Sequence, residues 1–269
     1  MLQTLQTILR DNWEWRGQIG RLAIFDLMKR SRGAVFSYAW LFVRPAIFIF
    51  VFWFALEIGL RAGGDAEWPP YIIWLAAGLM PWFFMVDMMG PGANVLRRYS
   101  YLVNKIKFPL SAISAIYTCS SMLVELGLIV GLFGMYFFAG LPLDIYFLQV
   151  PIILLLMFVF WDCFSIWTSQ LSALSKDFAN LVKAMIQPFF WLSGIIYNTA
   201  TLPLDWIQTV LLFDPVTFFV TAMRNAFYDK MWFWENPEMC WAFVFMFVVQ
   251  LVLMLAVYKK TNEDVADVL

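Results

Sequence analysis

Residues 145–171 read IYFLQVPIILLLMFVFWDCFSIWTSQL. The single charged side chain in that stretch is Asp162. As a helix it would be about 40 Å long, more than the roughly 30 Å needed to cross the hydrocarbon of a bilayer. Its apolar residues cover every side, so it has no polar face to turn to water. A stretch of this kind is read as a membrane span.

Moving outward, the same pattern recurs. Upstream of the break at Gly140-Leu141-Pro142 lies a second apolar run, 110–138. Further spans are expected at about 34–60, 71–95, 181–197 and 239–258. Loop breakers separate them: Gly63-Gly64 and Pro69-Pro70 after the first, Gly90-Pro91-Gly92 near the end of the second. The whole chain is 62% hydrophobic and 14% charged, against about half and a quarter in soluble domains. The fold class is therefore all-α and polytopic, with six transmembrane helices.

The flanks have a different character. Residues 1–16 place Leu2, Leu5, Leu9 and Trp13 at helical spacing, opposite Gln3, Thr7, Arg10, Asp11 and Glu14. That is the pattern of a helix lying in the membrane surface, with a plain solvent-exposed helix as the alternative. Leu5, Leu9 and Trp13 are its expected apolar anchors. Residues 1–33 form an interface region, 34–258 a single transmembrane domain, and 259–269 a charged tail. The first residues are polar and mixed, so no cleavable signal peptide is expected. Residues 198–236 are apolar but broken by Pro203, Asp205, Asp214-Pro215, Arg224 and Asp229. They read as two short re-entrant helices before the last span, since irregular backbone at membrane depth must be covered by protein or line a cavity.

Charge then sets direction. With six spans and the N-terminus inside, only Arg61, Arg224 and Lys230 fall outside, leaving 15 of the 18 Lys and Arg inside. Basic residues mark the cytoplasmic side, so both termini are expected in the cytoplasm and the chain in the plasma (inner) membrane.

Several chemistries are excluded. With no His there is no His-ligated metal and no His-based triad. Three scattered Cys give no disulfide framework. No G-x-x-x-x-G-K-[ST] phosphate loop occurs, and the polar segments are too short to fold an ATPase. No metal or cofactor is expected on this chain, and no nucleic acid as a partner. Any energised transport needs a second chain.

The basic segment 97–109, with Arg97, Arg98, Leu102, Lys105, Lys107 and Phe108, is either an ordinary inside loop or a helix that docks on a cytoplasmic partner. In the second case Leu102 and Phe108 are its hydrophobic anchors. Four carboxylates, Glu57, Asp87, Glu125 and Asp162, lie within or near spans, where charge is costly and faces a bundle interior or water. Asp87 and Asp162 are the deeper candidates for a translocation path. Trp40, Phe50, Trp53, Trp82, Phe84, Trp161, Trp167, Trp191 and Tyr197 either line that path or serve as interfacial belts and lipid-facing bulk.

Six motifs, in order, carry a resemblance. They are Phe25-Asp26-Leu27-Met28-Lys29-Arg30-Ser31-Arg32 followed by Trp40 and Arg44-Pro45; Gly78-Leu79-Met80-Pro81-Trp82-Phe83-Phe84; and Asn94 through Leu102 with Lys105 and Phe108-Pro109. After them come Ser175-Lys176-Asp177-Phe178 with Leu192-Ser193-Gly194-Ile195-Ile196-Tyr197; Asp214-Pro215 with Arg224; and Tyr258 with Glu263-Asp264-Val265-Ala266-Asp267. Together they resemble the membrane subunit of ABC-2 type exporters, in the branch that exports O-antigen, teichoic acid and capsule-like polysaccharides. Gly194 stands where that family often has Pro, and Asp214 where it often has Asn.

The resemblance implies a homodimer with two separate nucleotide-binding subunits, which hold ATP and Mg. It implies a lipid-linked polymer as cargo, coupling through 97–109 and the N-terminal helix, and an outer gate around Asp214, Pro215 and Arg224. Rival readings are a proton-coupled lipid or glycolipid flippase using Asp87, Asp162 or Glu125, an ABC-2 exporter of a small lipid or drug, and a non-transporting scaffold. Carriers often show inverted repeats, and none is evident here.

Overall fold

The computed structural model describes residues 1–31, 37–60, 70–106 and 108–268, and these are mostly helical, with no strand among them. Residues 34–36 of the first expected span, and Arg61, lie outside the described residues.

Two helices precede the first span: α1 (Leu2–Glu14) and α2 (Arg16–Ser31). Next comes α3 (Trp40–Trp53), which continues as a π-helical turn through Phe54–Gly59. Pro45 sits inside α3, a position tolerated in a membrane helix where neighbours re-satisfy the freed carbonyl. The second span, α4 (Tyr71–Met89), stops earlier than the expected 71–95. Gly90 and Pro91 break it, and a 3-10 turn at Gly92–Asn94 leads into two short helices, α5 (Val95–Arg98) and α6 (Ser100–Ile106).

The third span, α7 (Leu110–Phe138), has the expected limits. Pro109 precedes its first residue in extended backbone, and Gly140 follows its end at φ +72, the left-handed turn that glycine accepts without strain. The fourth opens with a 3-10 turn at Ile145–Gln149, where Asp144 accepts a bond from the Tyr146 amide at 3.0 Å. It then runs as α8 (Val150–Leu174).

The fifth helix, α9 (Lys176–Leu192), is shifted toward the N-terminus from the expected 181–197. Ser175 starts it early by capping the Phe178 amide, and Gly194 at φ +67 turns the chain away afterwards. Residues 198–236 hold α10 (Asp205–Leu212) and α11 (Pro215–Arg224, prolonged by a π turn to Asp229), bent by 93°. The two halves are unequally covered. α10 buries only Leu211, while α11 buries most of its length. The last helix, α12 (Pro237–Val268), absorbs the expected separate tail 259–269 into one continuous helix.

Among the described residues, five helical stretches are long and apolar enough to cross a membrane, or six if the bent pair is one span. The connectivity decides between α9 and the pair. α8 ends beside the start of α7 and the end of α12: Thr261 donates to Gln170 at 2.6 Å. α12 starts at the other end, where Lys230 meets Asp144 at 2.7 Å. Between those points one crossing is needed. α9 makes it, because the backbone just beyond its C-terminus lies beside Trp74 at the start of α4. The bent pair therefore enters and leaves from that same end.

α4 forms the centre, touching α3, α7, α8, α9 and α11. Ala76, Ala77 and Gly78 on it allow close approach of neighbours. In contrast, only 6% of the α3 span is buried, against 78% of the α4 span. Both termini lie at one end, since α1 packs on α7 and α12. That basic end also carries α2, α5 and α6.

Candidate functional site

At the basic end, α2 is more deeply engaged than an interface helix. It lies along α7 and turns Ile19, Ala23 and Asp26 inward at helical spacing. Asp26 is the hub of a polar cluster, its side chain 1% exposed. One carboxylate oxygen accepts from Arg30 Nε and Ser120 Oγ, each at 2.8 Å. The other accepts from Arg98 Nη2 at 2.8 Å and from the Tyr99 hydroxyl. Arg30 carries the cluster onward. It donates to Asp87 at 3.0 Å and to Ser121 at 3.1 Å, and lies over the Tyr117 ring at 4.2 Å.

Burial alone would push the Asp26 carboxyl up. The Tyr99 hydrogen bond, Arg30, Ser120 and Arg98 outweigh it, and the carboxyl is held below its ordinary value. The cluster joins four elements: α2, the end of α4, the α5–α6 segment and α7.

Beside this cluster, α3, α4 and α7 enclose a cavity of about 410 Å³. α3 contributes Trp40, Arg44 and Phe48, α4 contributes Phe83, Phe84 and Asp87, and α7 contributes Ser121 and Glu125. Glu125 is 1% exposed, and neither carboxylate oxygen has a hydrogen-bond partner among the described residues. Arg44 is exposed, its guanidinium 5.9 Å from the Trp40 ring. On the other side of α3 lies an apolar cavity of about 340 Å³. In the wall of that second cavity Phe42 seats α3 on Gly127, where a Cβ would stand 2.5 Å from the Phe42 ring.

The expected path residues separate. Trp40, Phe84 and Asp87 share the cavity. Trp82 is buried in the core, its ring 5.7 Å from Phe190. Trp53 lies further along α3 beside Phe50. Asp162, on α8, accepts from Thr118 at 2.7 Å. Trp161 and Trp167 both flank Phe164 on α8. Trp191 is exposed near the end of α9, and the Tyr197 hydroxyl donates to the Leu192 carbonyl at 2.6 Å.

The coupling segment needs correction. Leu102 and Phe108 do not present themselves to a partner: they are 2% and 3% exposed. Phe108 packs edge-on against Trp15 at 4.5 Å, so it anchors the segment to this chain's own N-terminal region. Arg97 donates to the Ala173 carbonyl at 3.1 Å, and Arg98 serves Asp26. Tyr101 is the exposed aromatic there. Lys107 and the Lys105 side chain lie outside the described residues. On α1 the expected stripe divides: Leu5 packs on the core with Ile8, while Leu9 and Trp13 stay exposed.

At the opposite end, Asp214 caps α11 by accepting from the Val216 amide at 3.0 Å, with Pro215 in the first turn. Thr217 ties that cap to the Ser193 carbonyl at 3.1 Å. Arg224 donates to the carbonyls of Gly194, Ile195 and Tyr197 beyond α9, and to that of Trp74. Its guanidinium lies 3.4 Å from the centre of a Trp74 ring. Orphan carbonyls left where a helix breaks at membrane depth must be satisfied by protein. Arg224 does this for the turn after α9. Gly78 makes room, since a Cβ there would stand 2.5 Å from Arg224 Nη2.

Sequence reading missed Asp26, Tyr99, Tyr117, Ser120 and Ser121 as a cluster. The one signal was Asp26 with Arg30 four residues on, a pair that shares a helix face.

Comparison with known proteins fits this architecture. A family profile described as ABC-2 type transporter matches residues 17–228. The chain is 21% identical over 267 residues to the O-antigen export system permease protein RfbA of Myxococcus xanthus, covering 97% of this chain and 98% of that protein. It is 23% identical over 259 residues to the protein of the same name from Klebsiella pneumoniae, covering 91% and 92%. Since that profile spans most of the chain, the chain belongs to the ABC-2 type transporter family.

Proposed function

We propose that this chain is the permease subunit of an ATP-driven exporter, moving a lipid-linked polysaccharide or teichoic-acid-like polymer out of the cytoplasm. It works as a homodimer in the inner membrane, with both termini in the cytoplasm. Two nucleotide-binding subunits supply ATP hydrolysis with their Mg, and this chain carries no cofactor. End-to-end similarity to two O-antigen permeases supports the cargo class.

The observation that carries the reading is the Asp26 cluster. It binds α2, the α5–α6 segment and the two spans α4 and α7 into one charged joint. A push on α5–α6 from a cytoplasmic partner reaches Arg98, then Asp26 and Arg30, and so Asp87 on the cavity wall. Arg44, Trp40 and the Phe rings suit the sugar and phosphate parts of a polar head, while the exposed α3 leaves the side open to its lipid tail. The Arg224 turn closes the opposite end.

The test is made in the host. Deleting the gene should leave lipid-linked polymer accumulated on the cytoplasmic side and absent from the surface, with restoration by the wild-type gene. Normal surface polymer in the deletion strain would refute the reading.

A further inference from the structure

At the end opposite the basic one, α10 lies against α12. Between them is a surface hollow of about 560 Å³. Its apolar walls are Leu212 and Phe213 from α10, and Trp241 and Phe245 from α12. Phe213 meets Phe245 edge-on at 5.8 Å and joins the two walls. Glu238 lines the hollow from the first turn of α12. Asp205 lies one turn before Thr209, another lining residue, and so on the same side of α10. Both carboxylates are exposed, and neither forms an ion pair among the described residues. The described cations of that end are already committed: Lys230 to Asp144 at 2.7 Å, and Arg224 to backbone carbonyls.

From the hollow an exposed apolar stripe runs down α12: Trp241, Phe245, Val248 and Val252, at helical spacing. Its rise is about 16 Å, roughly half the 30 Å of hydrocarbon and so the depth of one leaflet. We infer that the hollow and stripe bind a membrane phospholipid with an ethanolamine head, its acyl chain lying along α12. An acidic rim without its own cation calls for a cationic head. A primary ammonium donates hydrogen bonds that Asp205 and Glu238 can accept, whereas a trimethylammonium has no N–H to give. Trp241, 73% exposed, offers a ring face to the same charge. Helix-end preference accounts for an acidic side chain in each first turn. It does not account for an aromatic hollow and a leaflet-long stripe in line with them. A second copy docked here about a two-fold axis would set the unpaired carboxylates of both copies at one seam, a repulsion that a lipid avoids.

The experiment uses the purified full chain in phosphatidylcholine vesicles. Three trace phospholipids share one photoreactive acyl chain and carry an ethanolamine, a choline or a glycerol head. Labelled residues are mapped by mass spectrometry. The ethanolamine lipid should label 205–213 and 238–252 about threefold more than the other two, the scale of an exposed ion pair. Asp205→Asn combined with Glu238→Gln should abolish that preference. Glu238→Lys should turn it toward the glycerol lipid, whose head is anionic. Both positions are exposed, so the melting temperature of either variant should stay at the wild-type value. Equal labelling by all three heads, or an ethanolamine preference that survives in both variants, would overturn the site. So would cross-links between two copies through 238–252, which would make this face a protein seam. None of these outcomes bears on export, which the deletion strain tests separately.

Discussion

At the scale of single residues, Asp26 carries the most interactions. Replacing it with Ala leaves Arg30 and Arg98 facing each other without their shared carboxylate. Breaking a buried pair in this way costs about 3–5 kcal/mol, and detergent-solubilised protein should denature correspondingly earlier in a denaturant titration. The pH dependence has a fixed sign. The folded carboxyl is held below its ordinary value of 3.8. Its stabilising contribution is therefore complete above that value and is lost as pH falls through the lower folded value. Wild type should lose melting temperature on acidification through this range, and Asp26→Asn should lose less. Equal acid sensitivity of the two proteins would show that Asp26 is not the group that matters. The role of Asp26 was only half legible in the sequence. The spacing to Arg30 was visible, but Ser120, Arg98 and Tyr99 lie 72 to 94 positions away, and no local pattern brings them together.

Elements show a different mixture. α7 was readable to the residue because Pro109 and Gly140 punctuate it. α4 and α9 were misjudged at their ends, where a Gly-Pro break and a Ser cap overrode the apolar pattern. The anchors Leu102 and Phe108 were placed on the right segment and assigned the wrong partner, since an apolar side chain does not announce which surface will cover it. Phe108→Ala should cost about 3–5 kcal/mol as a core truncation and speed amide exchange around Trp15. Tyr101→Ala should leave stability within about 0.5 kcal/mol, as exposed substitutions do, while weakening association with the proposed nucleotide-binding subunit. The re-entrant turn can be tested at Arg224. Lysine has no planar fork to reach several carbonyls at once. Arg224→Lys should therefore raise amide exchange through 193–201, and Gly78→Ala should do the same by pushing the guanidinium aside. Protection unchanged in both variants would mean that the turn is held by something else.

For the whole molecule, composition points to the membrane class, which the long apolar helices bear out, and the Lys and Arg distribution gives an expected orientation. The helix order supports six crossings, with α9 rather than the bent pair as the fifth. What stayed hidden in the sequence was the sparse packing of α3, which leaves a cavity on each side of it. Hydropathy cannot tell a span covered by protein from one covered by lipid.

The exporter reading is tested most directly by reconstitution. The chain is placed in lipid vesicles with the nucleotide-binding subunit of its own host and that host's lipid-linked glycan. Enzymatic accessibility of the glycan then reports its movement across the bilayer. We expect movement only when ATP, Mg and both proteins are present, and none from this chain alone under a proton gradient. Movement by this chain alone, driven by a pH gradient without ATP, would contradict that reading and establish the proton-coupled carrier in its place.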